Sequence, residues 1–243
     1  QKLFNMKKII VFTGGTGRFG QVVKENYNRS KIKIYFPSSR LLNILSPASI
    51  KKYLKLKKPK YLIHAAALSR PMQVHDTNIS KSIDLNIIGT SNITKICSDL
   101  DIKLIFISTS YVYPGIDGEY KECDPIKPIN NYGLSKMGGE AAVQMYNNSL
   151  IVRASMTEKP FIHKSAFSDF ITNFLYHEEM VKILFKVLDE KGILNIGGKS
   201  QSVYNFAKLK NIKVKKISAK RILGKGTKLN VSMSLSKLKK IIK

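Results

Sequence analysis

The stretch Lys8-Ile9-Ile10-Val11-Phe12-Thr13-Gly14-Gly15-Thr16-Gly17-Arg18-Phe19-Gly20 limits what this chain can fold into more than any other. An apolar run of strand length stops abruptly in Gly14-x-x-Gly17-x-x-Gly20, and Gln21-Val22-Val23-Lys24 can then begin a helix. Strand, glycine turn and helix N-terminus together make an anion site. Absent side chains let the backbone approach a diphosphate, and helix N–H groups and the helix dipole meet its charge. The glycines alone would also suit an ordinary tight turn; the strand before them and the helix after them favour the anion site.

The chain continues as an alternation of strands and helices. Lys31–Phe36 reads as a second strand, ending in Pro37-Ser38-Ser39-Arg40, where an NAD site often places an acid on the ribose hydroxyls. No acid stands there. Ser39 and Arg40 suit a 2′-phosphate instead, which favours NADPH and leaves NAD open; the plain alternative is that Arg40 is a surface loop residue. Ser46-Pro47 reads as a cap and first-turn proline opening a helix over Ala48–Leu56. Tyr61–Ala67 is a third buried strand whose small last residues, Ala65, Ala66 and Ala67, leave room for a cofactor ribose or simply pack tightly. One long helix is expected from about Asn78 to Leu100, with Ile79, Ile83, Ile87, Ile93 and Ile96 at helical spacing and Asn86 inside it. Lys103–Ile107 is the fourth strand, delivering Ser108-Thr109-Ser110 at its carboxyl end, where open α/β sheets bind ligands. An irregular Tyr111–Asn131 leads to a helix from Tyr132 to about Tyr146, and Leu150–Arg153 is a fifth strand. Glu178–Leu188 reads as an amphipathic helix stopped by Gly192. The pattern predicts an α/β fold with a doubly wound, mostly parallel Rossmann-type sheet and a small C-terminal substrate-binding subdomain.

Tyr132 and Lys136 stand four apart, so a helix puts the phenol and the ammonium on one face. A phenol with an ordinary pKa of about 10 is a reluctant acid or base at neutral pH, and an adjacent cation favours the phenolate. The same spacing recurs at Tyr27/Lys31, Tyr53/Lys57 and Tyr204/Lys208, so spacing alone proves nothing. The glycine turn upstream, the Ser/Thr cluster after the fourth strand and Gly138-Gly139-Glu140 downstream set Tyr132 apart.

The 243 residues, 43% hydrophobic, suffice for one substantial α/β domain with an appendage. No apolar run reaches membrane-spanning length and no signal-peptide pattern stands at the start, so a cytoplasmic protein without a membrane partner is expected. Gln1–Asn5, ahead of Met6, are left out of the fold reasoning. Cys97 and Cys123 have no partner at metal-ligand spacing and are expected as free thiols, with no metal site. The net charge of +26 asks for a polyanion, and nothing after Glu190 is acidic. Lysine far outnumbers arginine and no reading motif accompanies the charge, so no specific nucleic-acid partner is expected.

By their motifs these residues resemble the extended short-chain dehydrogenase/reductases, and within them the dTDP-4-dehydrorhamnose reductase-like nucleotide-sugar reductases. The resemblance rests on residues 13–20, Leu-Leu-Asn-Ile-Leu-Ser-Pro at 41–47, His-Ala-Ala-Ala at 64–67, Ser-Thr-Ser-Tyr-Val-Tyr at 108–113 and Tyr-Gly-Leu-Ser-Lys-Met-Gly-Gly-Glu at 132–140. It implies Tyr132 as acid/base, Lys136 as the lysine that lowers the tyrosine pKa and holds the nicotinamide ribose, and Thr109 as the hydroxyl that polarises the substrate carbonyl. It implies cofactor contacts at Gly14, Thr16, Gly17, Arg18, Phe19, Gly20, Ser39, Arg40, Asn43, Ala65, Ala66 and Ala67, with Asn43 standing where an Asp touching adenine is usual. The implied reaction is NAD(P)H-dependent reduction of a nucleotide-linked 4-keto-6-deoxy sugar. An epimerase or dehydratase of the same superfamily, or a non-catalytic dinucleotide-binding subunit, are the alternatives, and a homodimer stays open as the assembly. The implied domains are 7–154 for the dinucleotide, with 177–198 returning to it, and 155–176 with 199–243 for the substrate, a region that looks short for the family.

Overall fold

The computed structural model describes residues 8–27, 32–224 and 226–243. Lys31, the expected start of the second strand, and Gln1–Asn5 lie outside the described residues. Its strands are β1 Lys8–Thr13, β2 Ile32–Tyr35, β3 Tyr61–His64, β4 Lys103–Thr109, β5 Ser149–Ala154, β6 Met156–Thr157, β7 Ser165–Phe167, β8 Ile171–Thr172, β9 Leu175–Tyr176, β10 Gly192–Ile196, β11 Gln201–Ser202 and β12 Lys215–Ile217. Its helices are α1 Arg18–Asn26, α2 Pro47–Lys57, α3 Val74–Thr77, α4 Ile79–Ile83, α5 Gly89–Asp99, α6 Asn131–Gln144, α7 His177–Leu184, α8 Val203–Lys208, α9 Ala219–Leu223 and α10 Ser236–Ile241.

Six strands form one parallel sheet in the order β10-β5-β4-β3-β1-β2. The chain steps outward from β1 to β2, then returns past β1 to β3 and runs on through β4, so the winding reverses between β1 and β3. Carboxyl ends part at such a reversal and leave a crevice. All seven residues of β4 and all four of β3 are buried, which is why they read as unbroken apolar runs. Leu62, Ile63, Leu104, Ile105 and Phe106 meet Ile50 and Leu54 of α2 and Ile93 of α5 in the core. Each contributes about 1.5–3 kcal/mol through burial. The edge strand β2 exposes Lys33, a charge that discourages a further strand from pairing there.

The long helix expected over Asn78–Leu100 is broken. Asn78 caps α4, accepting from the Lys81 N–H at 3.0 Å, and a π turn at Asp84–Ile88 joins α4 to α5. The turn inserts a residue and swings the helical face, so Ile79 and Ile83 are 58% and 41% exposed while Ile93 and Ile96 are buried. The helix expected over Glu178–Leu188 stops at Leu184; Val187 and Leu188 are buried beyond its end. Ser46 caps α2 as expected, accepting from the Ser49 N–H at 3.3 Å with Pro47 in the first turn.

The described chain divides into two compact units. Unit 1 takes the residues up to Ile107, Gly138–Ile151 and Leu188–Gly192; unit 2 takes Ser108–Met137, Val152–Val187 and Ile193–Lys243. Within unit 2, β6 pairs with β9 and β7 with β12 in parallel, and β8 with β11 antiparallel. Arg153, 2% exposed, donates to Tyr113 Oη at 2.9 Å and lies 4.9 Å over its ring, while Asn195 Oδ1 stands 2.8 Å from the same oxygen. Both cysteines are free: burial pushes the Cys97 thiol pKa up, and Cys123 is exposed. Among the described residues no helix is long and apolar enough to cross a membrane.

Candidate functional site

In unit 1 the glycine turn leaves β1 through Gly14, whose φ of +83° suits glycine. A Cβ there would stand 2.7 Å from the Ala66 nitrogen and 2.8 Å from the Ala65 carbonyl carbon, so the turn closes directly onto the end of β3. Gly20 is equally constrained, since a Cβ would stand 2.6 Å from the Gly15 Cα and closer still to the Gly14 carbonyl oxygen. Gly17 opens α1 without a side-chain cap, and no acid stands in the first turn. Thr16, Gly17 and Arg18 are exposed, but Phe19 is buried with its ring 6.0 Å from that of Phe12. Phe19 therefore has only its backbone to offer a ligand.

Thr13 Oγ1 ties the two strand ends together. It lies 2.8 Å from His64 Nδ1 and accepts from the Ala66 N–H at 3.3 Å. His64, fully buried, stacks on Phe106 and places Nε2 3.1 Å from Thr90 Oγ1. Ala65, Ala66 and Ala67 are half-buried. Beyond β2, Ser39 and Arg40 are exposed on a turn in which the Leu41 and Leu42 N–H groups donate to the Ser38 carbonyl. Asn43 is exposed, and its Oδ1 accepts from the Leu45 N–H at 3.0 Å, leaving its amide N–H groups outward.

In unit 2, Thr109 ends β4, 7% exposed. Its Oγ1 accepts from the Tyr111 N–H at 3.2 Å, an arrangement that leaves the hydroxyl proton to donate elsewhere. Asn130 starts α6: its Oδ1 accepts from the Gly133 N–H at 2.8 Å and its carbonyl from the Leu134 N–H at 3.0 Å. A Cβ at Gly133 would collide with the Tyr111 carbonyl oxygen, so the glycine lets α6 start against the exit of β4. Tyr132 and Lys136 lie one helical turn apart on α6. Tyr132 is half-buried, its ring edge-on to Tyr111 at 6.2 Å, and Lys136 is 2% exposed.

Two contributors have no mark in the sequence that spacing could reveal. Asn86 is turned inward by the π turn, and its side chain both accepts from the Leu68 N–H and donates to the Leu68 carbonyl at 2.8 Å, pinning the segment after Ala65–Ala67. Tyr111 stands between Tyr132 and Phe170, 6.2 Å from each ring; the Tyr-Val-Tyr sequence places it in a loop but not among aromatics.

A doubly wound parallel sheet with a glycine cradle at its reversal, and a Tyr-x-x-x-Lys face on the helix after the fourth strand, define a Rossmann-type α/β protein. Residues 6–190 match the RmlD substrate binding domain, and the chain belongs to that family. It is 32% identical over 154 residues to methionine adenosyltransferase 2 subunit beta of Xenopus laevis, a match covering 58% of this chain and 44% of that protein. It is 28% identical over 140 residues to the dTDP-4-dehydrorhamnose reductase of Mycolicibacterium smegmatis (strain ATCC 700084 / mc(2)155), covering 57% and 42%. The chain therefore matches less than half the length of either relative. The crystal structure of dTDP-4-dehydrorhamnose reductase from Bacillus anthracis str. Ames in complex with NADP shares the fold, with a TM-score of 0.86 at 24% identity over 96% of this chain and 92% of that one.

Proposed function

We propose that this chain reduces the keto group of a nucleotide-linked 4-keto-6-deoxy sugar with NAD(P)H, NADPH being favoured. The observation that carries this reading is Lys136, an amine 2% exposed one helical turn from Tyr132. A buried ammonium is costly unless its charge is used, and stabilising a phenolate uses it. Family membership and the mycobacterial relative support the substrate class.

Unit 1 suits the dinucleotide: Gly14 and Gly20 form a cradle that any Cβ would fill, and α1 opens uncapped behind it. In this reading residues 7–154 with 177–198 serve the cofactor, through Thr16–Gly20 at the diphosphate, Ser39 and Arg40 at a 2′-phosphate, Asn43 towards adenine and Ala65–Ala67 at a ribose. Residues 155–176 and 199–243 serve the substrate. When bound, the reduced nicotinamide supplies a hydride to the keto carbon. Tyr132 gives its phenolic proton to the forming alkoxide, Lys136 stabilises the phenolate left behind, and the Thr109 hydroxyl donates to the carbonyl oxygen, more strongly as charge builds there. A reductase of this kind would work in the cytoplasm, where its cofactor pool lies.

The test is NADPH and NADH consumption across a panel of keto and non-keto nucleotide sugars. Consumption with 4-keto-6-deoxy sugars alone is expected. Cofactor binding with no turnover on any member would favour the other reading, a dinucleotide-binding subunit, to which the similarity to the Xenopus subunit beta lends support.

A further inference from the structure

Unit 2 contains two adjoining hollows of about 590 and 480 Å³ that share Ser168 and Lys216, each of a size that holds small organic ligands. Their cations come from separate elements: Lys199 from the turn before β11, Lys216 from β12 and Arg221 from α9. No acidic side chain lines either hollow, and among the described residues none of the three cations makes an ion pair. Asp169, the neighbouring carboxylate, is turned to the start of α9. Burial would push its pKa up, but hydrogen bonds from Ser218 Oγ and from the Ala219 and Lys220 N–H groups outweigh that and hold it below the usual range, so it stays charged and committed. The first hollow also presents the Tyr204 ring, with Lys216 Nζ 5.9 Å and Lys208 Nζ 5.8 Å from its centroid.

We propose that this cleft seats a nucleoside diphosphate, the handle by which the chain holds its sugar substrate; the inference rests on the reductase reading above. Lys199, Lys216 and Arg221 suit a diphosphate, since charge-assisted hydrogen bonds to phosphate oxygens are the strong ones. The Tyr204 face suits a stacked base. Ile171 lines the cleft beside Phe170, and Phe170 and Tyr132 both meet Tyr111 at 6.2 Å, so an aromatic row inside unit 2 joins the cleft to the proposed proton donor. A long nucleotide sugar needs such a separation between handle and reacting carbon.

The test titrates the full chain with dTDP, UDP, thymidine and inorganic pyrophosphate, and separately with NADPH. The wild-type chain is expected to bind both nucleoside diphosphates at least tenfold more tightly than thymidine or pyrophosphate. Lys216→Glu and, independently, Lys199→Glu should each weaken dTDP binding at least tenfold with NADPH affinity changed less than twofold, and Tyr204→Ala should lower the preference for dTDP over pyrophosphate. Nucleoside diphosphates that fail to bind, or that bind both charge-reversal variants as tightly as the wild type, would overturn the assignment. Because these titrations involve no turnover, dTDP binding lost in the variants upholds the cleft even if no keto sugar consumes NADPH. Conversely, keto-sugar reduction with an unchanged KM in both variants sinks the cleft and spares the reductase.

Discussion

Tyr132 is the residue on which the chemistry turns, because its phenol carries the only proton the proposed reaction asks of the protein. Tyr132→Phe keeps the ring that meets Tyr111 and removes the proton, so kcat should fall by about 10²–10⁴-fold with NADPH affinity preserved. Turnover close to wild type would remove Tyr132 from the mechanism. Thr109→Val loses one hydrogen bond to the carbonyl oxygen and should cost less, about tenfold. Arg40 stands exposed where no acid follows β2. An arginine–phosphate contact is charge-assisted, so Arg40→Ala should raise the NADPH KM by about 10–100-fold and leave the NADH KM nearly unchanged. Equal affinities for the two cofactors in the wild-type chain would end the selectivity argument.

At the scale of elements, the start of α6 is fixed against the exit of β4 by contacts too close for any side chain at position 133. A Cβ at Gly133 would need the Tyr111 carbonyl to move, and Tyr111 follows Thr109 by two residues. Gly133→Ala should therefore cost about 1–3 kcal/mol of stability, seen as a lowered Tm. It should also cut turnover, because Tyr132 and Thr109 are displaced from each other. An alanine variant with wild-type Tm and kcat would show that the close approach has no consequence. The π turn at Asp84–Ile88 belongs to the same scale: one inserted residue turns Asn86 inward to hold the Leu68 backbone, at the expense of exposing Ile79 and Ile83.

Two properties belong to the whole molecule, stability as a function of pH and the long-range field. Lys103, 6% exposed at the start of β4, donates to the Glu190 carbonyl at 2.6 Å. Burial, reinforced by Lys191 and opposed by Asp189 and Glu190, lowers its pKa from 10.5 to about 8. Between about pH 8 and the unfolded value of 10.5 the unfolded chain keeps a proton that the folded chain has released, so this group makes stability rise with pH across that window. Below it, the full cost of the buried charge is present. The Tm of the wild type relative to Lys103→Met should thus climb from pH 7.5 to pH 10; a flat difference would mean that the amine is solvated when charged. The net charge of +26 acts over distances that salt screens within about 8–10 Å. If the basic residues of 210–228 help to collect a diphosphate-linked sugar, kcat/KM should decline with added salt while kcat stays steady, and duplex DNA should bind weakly and without sequence preference. Salt-independent capture would leave the lysines unconnected with catalysis, and tight sequence-selective DNA binding would displace the enzyme reading of the charge.

Local rules suffice for much of this chain. The order of strands and helices, the doubly wound sheet, the cap at Ser46 and the placing of Thr109, Tyr132 and Lys136 at a strand end and on one helix face are legible along the sequence, because a strand buried on both faces is a continuous apolar run and a cap or helical face needs only neighbours within a turn. Tertiary structure alone decides the break in the Asn78–Leu100 stretch, where the isoleucine period cannot register one inserted residue whose reward is a pair of hydrogen bonds to Leu68, far along the chain. It likewise decides the burial of the Phe19 ring against Phe12, the place of Tyr111 between Tyr132 and Phe170, and the meeting of Lys199, Lys216 and Arg221 around the hollows at Ser168. These depend on contacts between segments that no periodicity connects, and the free energy that selects them appears only when the chain has closed on itself.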